Sequence, residues 1–240
     1  MPKLKNSSPL FVAIDTENLD QARQWAVAVA PVTGAIKLGL QFFVHHGPDG
    51  VRHVLRDLDV ALFLDLKLHD IPNTVAGAVR SAAALAPTFI TIHTSGGADM
   101  MLAAREAAMA ASKDHKIARP RILGVTVLTS LNDDDMRMMG HMTPTTDQVR
   151  RYAMLAQENK IDGLVCSPQE LRELRTLCGE GMILVCPGIR PLGSKKDDQK
   201  RTLTPAEAMA NGANYMVMGR PITGADDPAK FAKDVLASLK

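Results

Sequence analysis

The chain has 240 residues, of which 46% are apolar, so it is long enough to bury a sizeable hydrophobic core. Its 28 basic and 26 acidic residues give a formal net charge of +2, and this balance argues against a general nucleic-acid-binding or membrane-surface protein. No apolar run approaches the ~18 residues of a membrane span, and the opening MPKLKNSSPL lacks the apolar core of a signal peptide, so we expect a cytoplasmic protein.

Short apolar runs recur along the chain, and eight of them are interpreted as strands. In chain order they are LFVAID (10–15), AIKLGL (35–40), ALFLDLK (61–67), FITIH (89–93), RILGVTVL (121–128), GLVCS (163–167), MILVCPG (182–188) and YMVMG (215–219). Nearly continuous apolar strands of this kind are typical of a parallel sheet that is buried on both faces.

Helix-period segments, many of them rich in alanine, separate these strands. The predicted helices are 19–30, 74–86, 98–112, 146–159 with Thr146 as its N-cap, 167–179, 204–212 and 227–240. The segment 41–58 is predicted to be a helix that is broken around Gly47 and Pro48.

Strand and helix alternate eight times, at roughly 30 residues per unit. No change of composition marks a second domain. The pattern therefore predicts an α/β fold, a single (β/α)8 TIM barrel that forms one catalytic domain over residues 1–240, with 1–9 as a flexible N-terminus. A doubly wound open sheet is the weaker alternative, because it usually has fewer strands and no GxGxxG follows the first strand.

Charged side chains stand at the ends of three successive predicted strands. Asp15 ends the first strand, Lys37 lies in the second, and Asp65 and Lys67 lie in the third. Because residues i and i+2 share one face of a strand, Asp65 and Lys67 are expected to point the same way. If Lys37 also points inward, acids and bases alternate around one cavity at the active-site end of the barrel. Such an array can position an ammonium group as a proton donor, although it can also be an ion-pair network that only supports the barrel mouth.

A second group of residues predicts a phosphate site. Gly219 and Arg220 in MGRPIT directly follow the last strand, where backbone N–H groups and an arginine can hold an anion. The long polar segment 189–205 is interpreted as a lid over this site, because loops beyond ~12–15 residues in compact domains often bind ligands. A turn with a solvated arginine and a surface excursion are the alternatives for these two features.

These motifs together resemble the orotidine 5′-phosphate decarboxylase family. DLKLHDIPNT (65–74) matches the signature D-x-K-x-x-D-I-P-N-T of that family. AIKLGL, VTVLTS (125–130), PGIRP (187–191), GSKKDDQKR and MGRP follow in the family's order. The resemblance covers essentially the whole chain after the first nine residues, and an ordered set of motifs is far more specific than any one of them.

The resemblance implies a set of catalytic residues, namely Lys67, Asp65, Asp70 and Lys37. Lys67 would donate the proton, Asp65 would lie against the substrate carboxylate, and Lys37 would bridge two acids while binding the ribose hydroxyls. Asp70 would reach into the site of a second copy of the chain, which implies a homodimer with shared sites.

The substrate-binding residues implied by the resemblance are Asp15, Lys37, Asp65, Leu66, Lys67, Leu68, His69, Asp70, Ile71, Pro72, Asn73, Thr74, Thr129, Arg190, Gln199, Gly219 and Arg220. Asp15 would bind the ribose hydroxyls, and Thr74 would lie at the subunit boundary. Thr129, with Ser130 as a close second choice, would contact the pyrimidine. The phosphate would be held by Arg190, Gln199, Gly219 and Arg220.

The implied reaction is the cofactor-independent decarboxylation of orotidine 5′-phosphate to uridine 5′-phosphate (UMP) and CO2, the last step of de novo UMP biosynthesis. No metal is implied, and no nucleic-acid or membrane partner. One rival is a magnesium-dependent sugar-phosphate decarboxylase or aldolase on the same barrel, such as 3-keto-gulonate 6-phosphate decarboxylase, but those enzymes are expected to carry an extra acid where this chain has Lys37. The other rival is a nucleotide-binding regulator that has lost catalysis.

Several other residues are given structural interpretations. Cys166, Cys178 and Cys186 show no metal-ligand spacing and are expected to be buried, reduced thiols. His69 is assigned to packing or to the interface. His93 is assigned to hydrogen bonding within the barrel, with contact to a substrate as the alternative. MRMMGHM (136–142) is predicted to be a packed helix with a turn, and Asp133–Asp135 suit the first turn of that helix.

Overall fold

Eight parallel strands close into a barrel in the computed structural model, which describes residues 8–142, 144–191 and 203–239. The strands are β1 Leu10–Ile14, β2 Ala35–Gly39, β3 Ala61–Leu68, β4 Phe89–His93, β5 Arg121–Val125, β6 Gly163–Val165, β7 Ile183–Cys186 and β8 Tyr215–Met218. Each strand pairs with the next in the chain, and β8 pairs with β1. The predicted (β/α)8 barrel is therefore confirmed, and the open-sheet alternative is wrong because β1 and β8 are joined.

The helices pack around this barrel. They are α1 Leu19–Thr33, α2 Leu40–Leu55, α3 Pro72–Ala83, α4 Gly97–Asp114, α5 Asp133–Met138, α6 Thr145–Glu158, α7 Leu171–Cys178, α8 Pro205–Ala210, α9 Arg220–Thr223 and α10 Pro228–Ala237. Short 3-10 turns, Thr94–Gly96 and Pro168–Glu170, precede α4 and α7. None of the helices in the described ranges is both long enough and apolar enough to cross a bilayer.

Two helix predictions have clear outcomes. The predicted break in α2 is confirmed, because Gly47 has φ 60 and ψ −164 between two helical halves. The prediction of Thr146 as an N-cap is wrong: Pro144 caps α6, and α6 begins at Thr145. The start is fixed there because the N–H and hydroxyl of Thr145 both donate to Asp133 Oδ1, at 2.8 and 2.6 Å.

The core has two layers, which follow from the alternation of side chains along each strand. One set of strand residues packs outward against the helices, while Phe11, Phe63 and Phe89 fill the barrel interior with ring centroids 5.5–5.8 Å apart. Asp15 and Asp65 lie at inward-facing positions closer to the carboxyl ends of their strands than Phe11 and Phe63, and Lys37 lies at an inward-facing position of β2. The packed interior therefore leaves the charged residues at the carboxyl end of the barrel.

The first described residues are fixed to the barrel. Met216 N–H donates to Pro9 O at 2.7 Å, and Leu10 N–H donates to the buried Ser8 Oγ at 3.3 Å. The other seven residues of the predicted flexible N-terminus, 1–7, lie outside the described residues.

Candidate active site

A cavity of about 540 Å³ opens at the carboxyl ends of the strands, a size typical of small-molecule sites. Side chains from seven of the eight strands, or from the loops that follow them, line it. Eight of the residues predicted from the sequence are among them: Asp15, Lys37, Asp65, Lys67, Thr129, Arg190, Gly219 and Arg220. Residues that are up to 205 positions apart in the chain, from Asp15 to Arg220, thus meet at one site.

Four of these side chains form an alternating array of acids and bases. The buried Lys37 Nζ lies 3.3 Å from Asp15 Oδ1 and 3.5 Å from Asp65 Oδ2. On the other side of Asp65, Lys67 Nζ lies 2.8 Å from each carboxylate oxygen. The predicted convergence of Lys37, Asp65 and Lys67 is therefore present in a single chain.

The electrostatics of the array keep Asp65 ionised. Burial alone raises the pKa of this carboxyl group, but the charges of Lys37 and Lys67 and hydrogen bonds from Lys67 and Thr91 outweigh it, so the pKa lies below its ordinary value. A carboxylate held next to two ammonium groups at neutral pH is a fixed negative charge and not a proton donor. Lys67 is thus the cationic group of the Asp65–Lys67 pair that can deliver a proton into the cavity.

The contact between Asp65 and Lys67 does not arise from a regular strand. Lys67 has a φ of 48°, in the left-handed region, and the pairing of β3 with β4 shifts register between Leu64 and Leu68. A non-glycine residue in this region costs about 1–3 kcal/mol and persists only where its surroundings hold it. The rule that residues i and i+2 share one face of a strand therefore predicted the contact correctly. It did so although β3 lacks, at Lys67, the regular strand conformation that the rule assumes.

Thr91 on β4 is a site neighbour that sequence reasoning missed. It is fully buried, and its Oγ1 accepts a hydrogen bond from Lys67 N–H at 2.9 Å and donates one to Asp65 Oδ1 at 3.0 Å. The sequence does carry a signal for it, because Thr91 is a polar residue between Ile90 and Ile92 at an inward-facing position.

Gly39 was also missed. It pairs with Asp65 across β2 and β3, and a Cβ added there would lie 2.7 Å from Lys37 Nζ and 2.9 Å from Asp15 Oδ1. Such distances are shorter than real Cβ contacts, so the absence of a side chain allows the Asp15–Lys37 pair to lie across this position.

The rest of the DLKLHDIPNT signature lies outside the cavity of its own chain. Leu66 is buried in the layer between the strands and the helices, and Leu68 packs against the same layer. The residues from His69 to Thr74 are exposed on the surface. Within this surface run, Asp70 Oδ1 accepts a hydrogen bond from Ile71 N–H at 2.6 Å, and Ile71 is 66% exposed.

The two histidines near Lys67 face each other. The rings of His69 and His93 have centroids 5.4 Å apart and a tilt of 41°. Burial lowers the pKa of His93, and repulsion from His69 and Lys67 lowers it further, while Asp65 acts in the opposite direction. The lowered pKa leaves His93 neutral at pH 7.

Three of the residues predicted to bind phosphate come from the segments that follow β7 and β8. Arg190, Gly219 and Arg220 all line the cavity. Ile189 forms a β-bridge with Leu203, and Arg190 N–H donates to Leu203 O at 3.0 Å. Both ends of the predicted lid are thus adjacent at the cavity, whereas 192–202, including Gln199, lie outside the described residues.

Two further residues for which predictions were made, Thr129 and Cys166, lie at the cavity. Thr129 lines it, whereas Ser130 is not among its lining residues. Cys166 lines it too, but burial raises the pKa of its thiol well above the ordinary value, so it is not a nucleophile at neutral pH. As predicted, all three cysteines are free and buried.

The methionine tract after β5 is packed only in part. Asp133–Asp135 form the first turn of α5, as predicted, and Met136 is buried. Met138 and Met142 are instead 90% and 93% exposed, so the prediction of a packed segment fails for them. Met138 is two positions from the buried Met136, so it does not share the packed face of the helix, and Met142 follows the end of the helix.

The described ranges contain no group of three or more His, Cys, Asp and Glu side chains arranged to hold a metal ion.

Comparisons with known proteins cover almost all of the chain. The model of the "Orotidine 5′-phosphate decarboxylase / HUMPS family" matches residues 8–235. The orotidine 5′-phosphate decarboxylase of Rhodospirillum rubrum is 51% identical over 97% of this chain and 94% of its own, and that of Thermobifida fusca is 47% identical over 98% and 97%. The crystal structure of orotidine 5′-phosphate decarboxylase from Lactobacillus acidophilus superposes with a TM-score of 0.86 at 33% identity, over 97% of this chain and 99% of that one.

Proposed function

The chain belongs to the orotidine 5′-phosphate decarboxylase / HUMPS family, and from this we propose that it catalyses the decarboxylation of orotidine 5′-phosphate to UMP and CO2. It is a carboxy-lyase of the last step of UMP biosynthesis, a reaction of the cytoplasm. The assignment is supported by relatives of this name that are 47–51% identical over nearly their full lengths.

The observation that carries the proposal is the array Asp15–Lys37–Asp65–Lys67 in the cavity at the carboxyl end of the barrel. Loss of CO2 breaks the bond from C6 of the pyrimidine to the carboxylate carbon, and the electron pair remains on C6 in the plane of the ring. No adjacent carbonyl can simply delocalise that pair, so stabilisation must come from charges already in place. Lys67, which is fixed on Asp65 by two contacts of 2.8 Å, supplies such a charge.

Each member of the array has a role in this reaction. The Lys67 ammonium group favours the developing carbanion and then transfers a proton from Nζ to C6, which gives UMP and a neutral amine that solvent reprotonates. Asp65 lies beside the substrate carboxylate and favours its departure as neutral CO2. Lys37, held between two acids, binds the ribose hydroxyls together with Asp15. The array is thus complementary to the carbanion and less so to the substrate.

The part of the cavity that is lined by Arg190, Gly219 and Arg220 binds the phosphate. Arg220 and Arg190 supply charge-assisted contacts, and Gly219 allows the backbone to approach closely. Gln199 adds a contact from the segment between Arg190 and Leu203. Because this segment joins two neighbouring points at the cavity, its closure can use phosphate binding to assemble the charged array.

The functional unit is a homodimer. Asp70 and Thr74 belong to the matching signature, yet they lie on the surface of their own chain and outside its cavity. The exposed run from His69 to Thr74, with Ile71 at its centre, is the surface that a second copy covers. Asp70 then completes the charge array of the partner's site.

Loss of orotidine 5′-phosphate absorbance, followed with and without a chelator, tests the proposal. We expect turnover that yields UMP and is unchanged by the chelator, because Lys37 takes the place where a magnesium-dependent relative would carry an acid. Chelator-sensitive turnover of a sugar phosphate would instead support the magnesium-dependent rival. Nucleotide binding by folded protein without turnover would support the regulator.

A further inference from the structure

One buried hydroxyl connects Asp65 and Lys67. Thr91 is 0% exposed and is not among the residues that line the cavity. Its Oγ1 accepts a hydrogen bond from Lys67 N–H and donates its one proton to Asp65 Oδ1. Thr91 therefore reaches the site only through these two neighbours.

The hydrogen bond to Lys67 is made where β3 departs from regular geometry. The pairing of β3 with β4 shifts register between Leu64 and Leu68, and Lys67 lies within that shift with a φ of 48°. The other non-glycine residues with positive φ in the described ranges lie outside the strands, namely Asp57, Ala86, Lys116 and Lys160. The Thr91 side chain, on β4, thus stabilises the left-handed backbone conformation of Lys67, the proposed proton donor.

The hydrogen bond to Asp65 fixes the rotation of its carboxylate. Oδ1 accepts hydrogen bonds from Lys67 Nζ and from the Thr91 hydroxyl. Oδ2 accepts a hydrogen bond from Lys67 Nζ and lies 3.5 Å from Lys37 Nζ. Without Thr91, the contacts of Oδ1 and Oδ2 would no longer be balanced, and the carboxylate could turn about its bond to Cβ. The distance from Lys67 to the substrate carbon depends on that orientation.

We propose that Thr91 is a positioning residue for the decarboxylation, whose hydroxyl holds the Lys67 backbone and the Asp65 carboxylate in the relative placement that the reaction requires. The inference rests on the proposed function. Since Thr91 does not touch the substrate, its loss acts on the chemical step, where a small misplacement of reacting groups is costly, more than on substrate binding.

Three variants test the inference by their kcat, KM and thermal midpoint. Thr91→Val keeps the shape and removes the hydroxyl, and Thr91→Ser keeps the hydroxyl. Thr94→Val is the matched control, because Thr94 is equally buried but its hydroxyl donates only to the backbone oxygen of Val125, at 2.7 Å. We expect Thr91→Val to lower kcat about 10- to 100-fold with KM changed less than about threefold. Thr91→Ser and Thr94→Val should keep kcat within about threefold of the wild type.

The pH profile gives a second readout. Because Thr91 stabilises the ionised form of Asp65 by a hydrogen bond, Thr91→Val should move the acid limb of kcat/KM to higher pH.

A Thr91→Val enzyme with kcat within about twofold of the wild type, or a Thr91→Ser enzyme as slow as Thr91→Val, would overturn the inference. If Thr91→Val does not fold, Thr91→Ala is compared with Thr91→Ser by the same criteria. Absence of turnover in the wild type would overturn the proposed function itself, whereas an active wild type with an unimpaired Thr91→Val overturns the inference alone.

Discussion

Lys67 Nζ lies 2.8 Å from both carboxylate oxygens of Asp65, although the two residues are separated by only Leu66 and the Lys67 backbone is left-handed. The bidentate contact leaves the ammonium group close to a fixed negative charge. In the proposed reaction, Lys67 passes a proton to the carbanion at C6, which is a far stronger base than the carboxylate beside it.

Replacement of Lys67 by alanine should abolish turnover and largely preserve nucleotide binding. We expect kcat to fall by about 1,000-fold or more, because both proton donation and electrostatic stabilisation of the carbanion are lost. Binding of UMP, measured by calorimetry, should weaken by less than about tenfold, because the ribose and phosphate contacts remain. Lys230→Ala is the control, since Lys230 is exposed on α10. Near-normal turnover of Lys67→Ala would show that another group donates the proton.

The sequence was sufficient for the barrel and for most of the array. Asp15, Lys37 and Asp65 lie at alternating inward positions of regular strands, so position along the strand determines where their side chains point. The same rule predicted the side of the strand on which Lys67 lies, although not its left-handed backbone, and it did not single out Thr91. The turn at Lys67 depends on the register of β3 against β4, and the role of Thr91 depends on that turn. Asp70 is the opposite case, because the family resemblance singled it out although it lies on the surface and outside the cavity of its own chain.

Gly39→Ala should disturb the array without unfolding the barrel. Gly39 has φ −101 and ψ −173, which alanine adopts freely, so no backbone strain is expected. The added Cβ would lie within 2.7 Å of Lys37 Nζ and 2.9 Å of Asp15 Oδ1, and both are ends of flexible side chains that can move apart. We expect the free energy of unfolding to change by less than about 1 kcal/mol while kcat/KM falls about tenfold.

Gly181→Ala is the matched control for Gly39→Ala, because a Cβ at Gly181 would meet no atom within 4 Å. Chemical denaturation and steady-state kinetics of the two variants separate stability from activity. An unchanged kcat/KM in Gly39→Ala would mean that the Asp15–Lys37 contact is not needed for ribose binding.

Arg220→Ala should remove the preference of the site for a phosphorylated ligand. The charge-assisted contacts of a guanidinium group are lost, and we expect KM for orotidine 5′-phosphate to rise about 10- to 100-fold. Calorimetry should show weaker binding of UMP and unchanged binding of uridine. Arg52→Ala serves as a control, because Arg52 is exposed and pairs with Asp49 away from the cavity. Equal losses for UMP and uridine would place Arg220 outside the phosphate contacts.

The stability of the fold should fall as the pH decreases below 7, in part because of His93. The pKa of His93 is lowered in the fold by burial and by repulsion from His69 and Lys67. In the unfolded chain, His93 therefore takes up a proton near the ordinary histidine pKa of ~6.5, whereas in the folded chain it does not. This contribution to stability is present above the unfolded pKa and is lost as the pH falls towards the folded pKa. Thermal midpoints of His93→Gln should decline less steeply over this range than those of the wild type or of the exposed control His115→Gln. Parallel curves for all three proteins would exclude His93 as the source.

Complementation between two inactive variants should restore activity if Asp70 serves the partner's site. Asp70→Asn keeps Lys67, and Lys67→Ala keeps Asp70, so each homodimer lacks one group at both of its sites. In a heterodimer, the Asp70→Asn subunit has an intact site, because its own Lys67 meets Asp70 of the other chain. Random mixing of equal amounts of the two variants should therefore leave about one site in four intact and recover about one quarter of the wild-type activity. If Asp70 instead acts within its own chain, every site in the heterodimer lacks one group, and the mixture stays inactive. Sequential affinity purification on two different tags, one on each variant, confirms that heterodimers have formed, so an inactive mixture that contains them rules out the shared site.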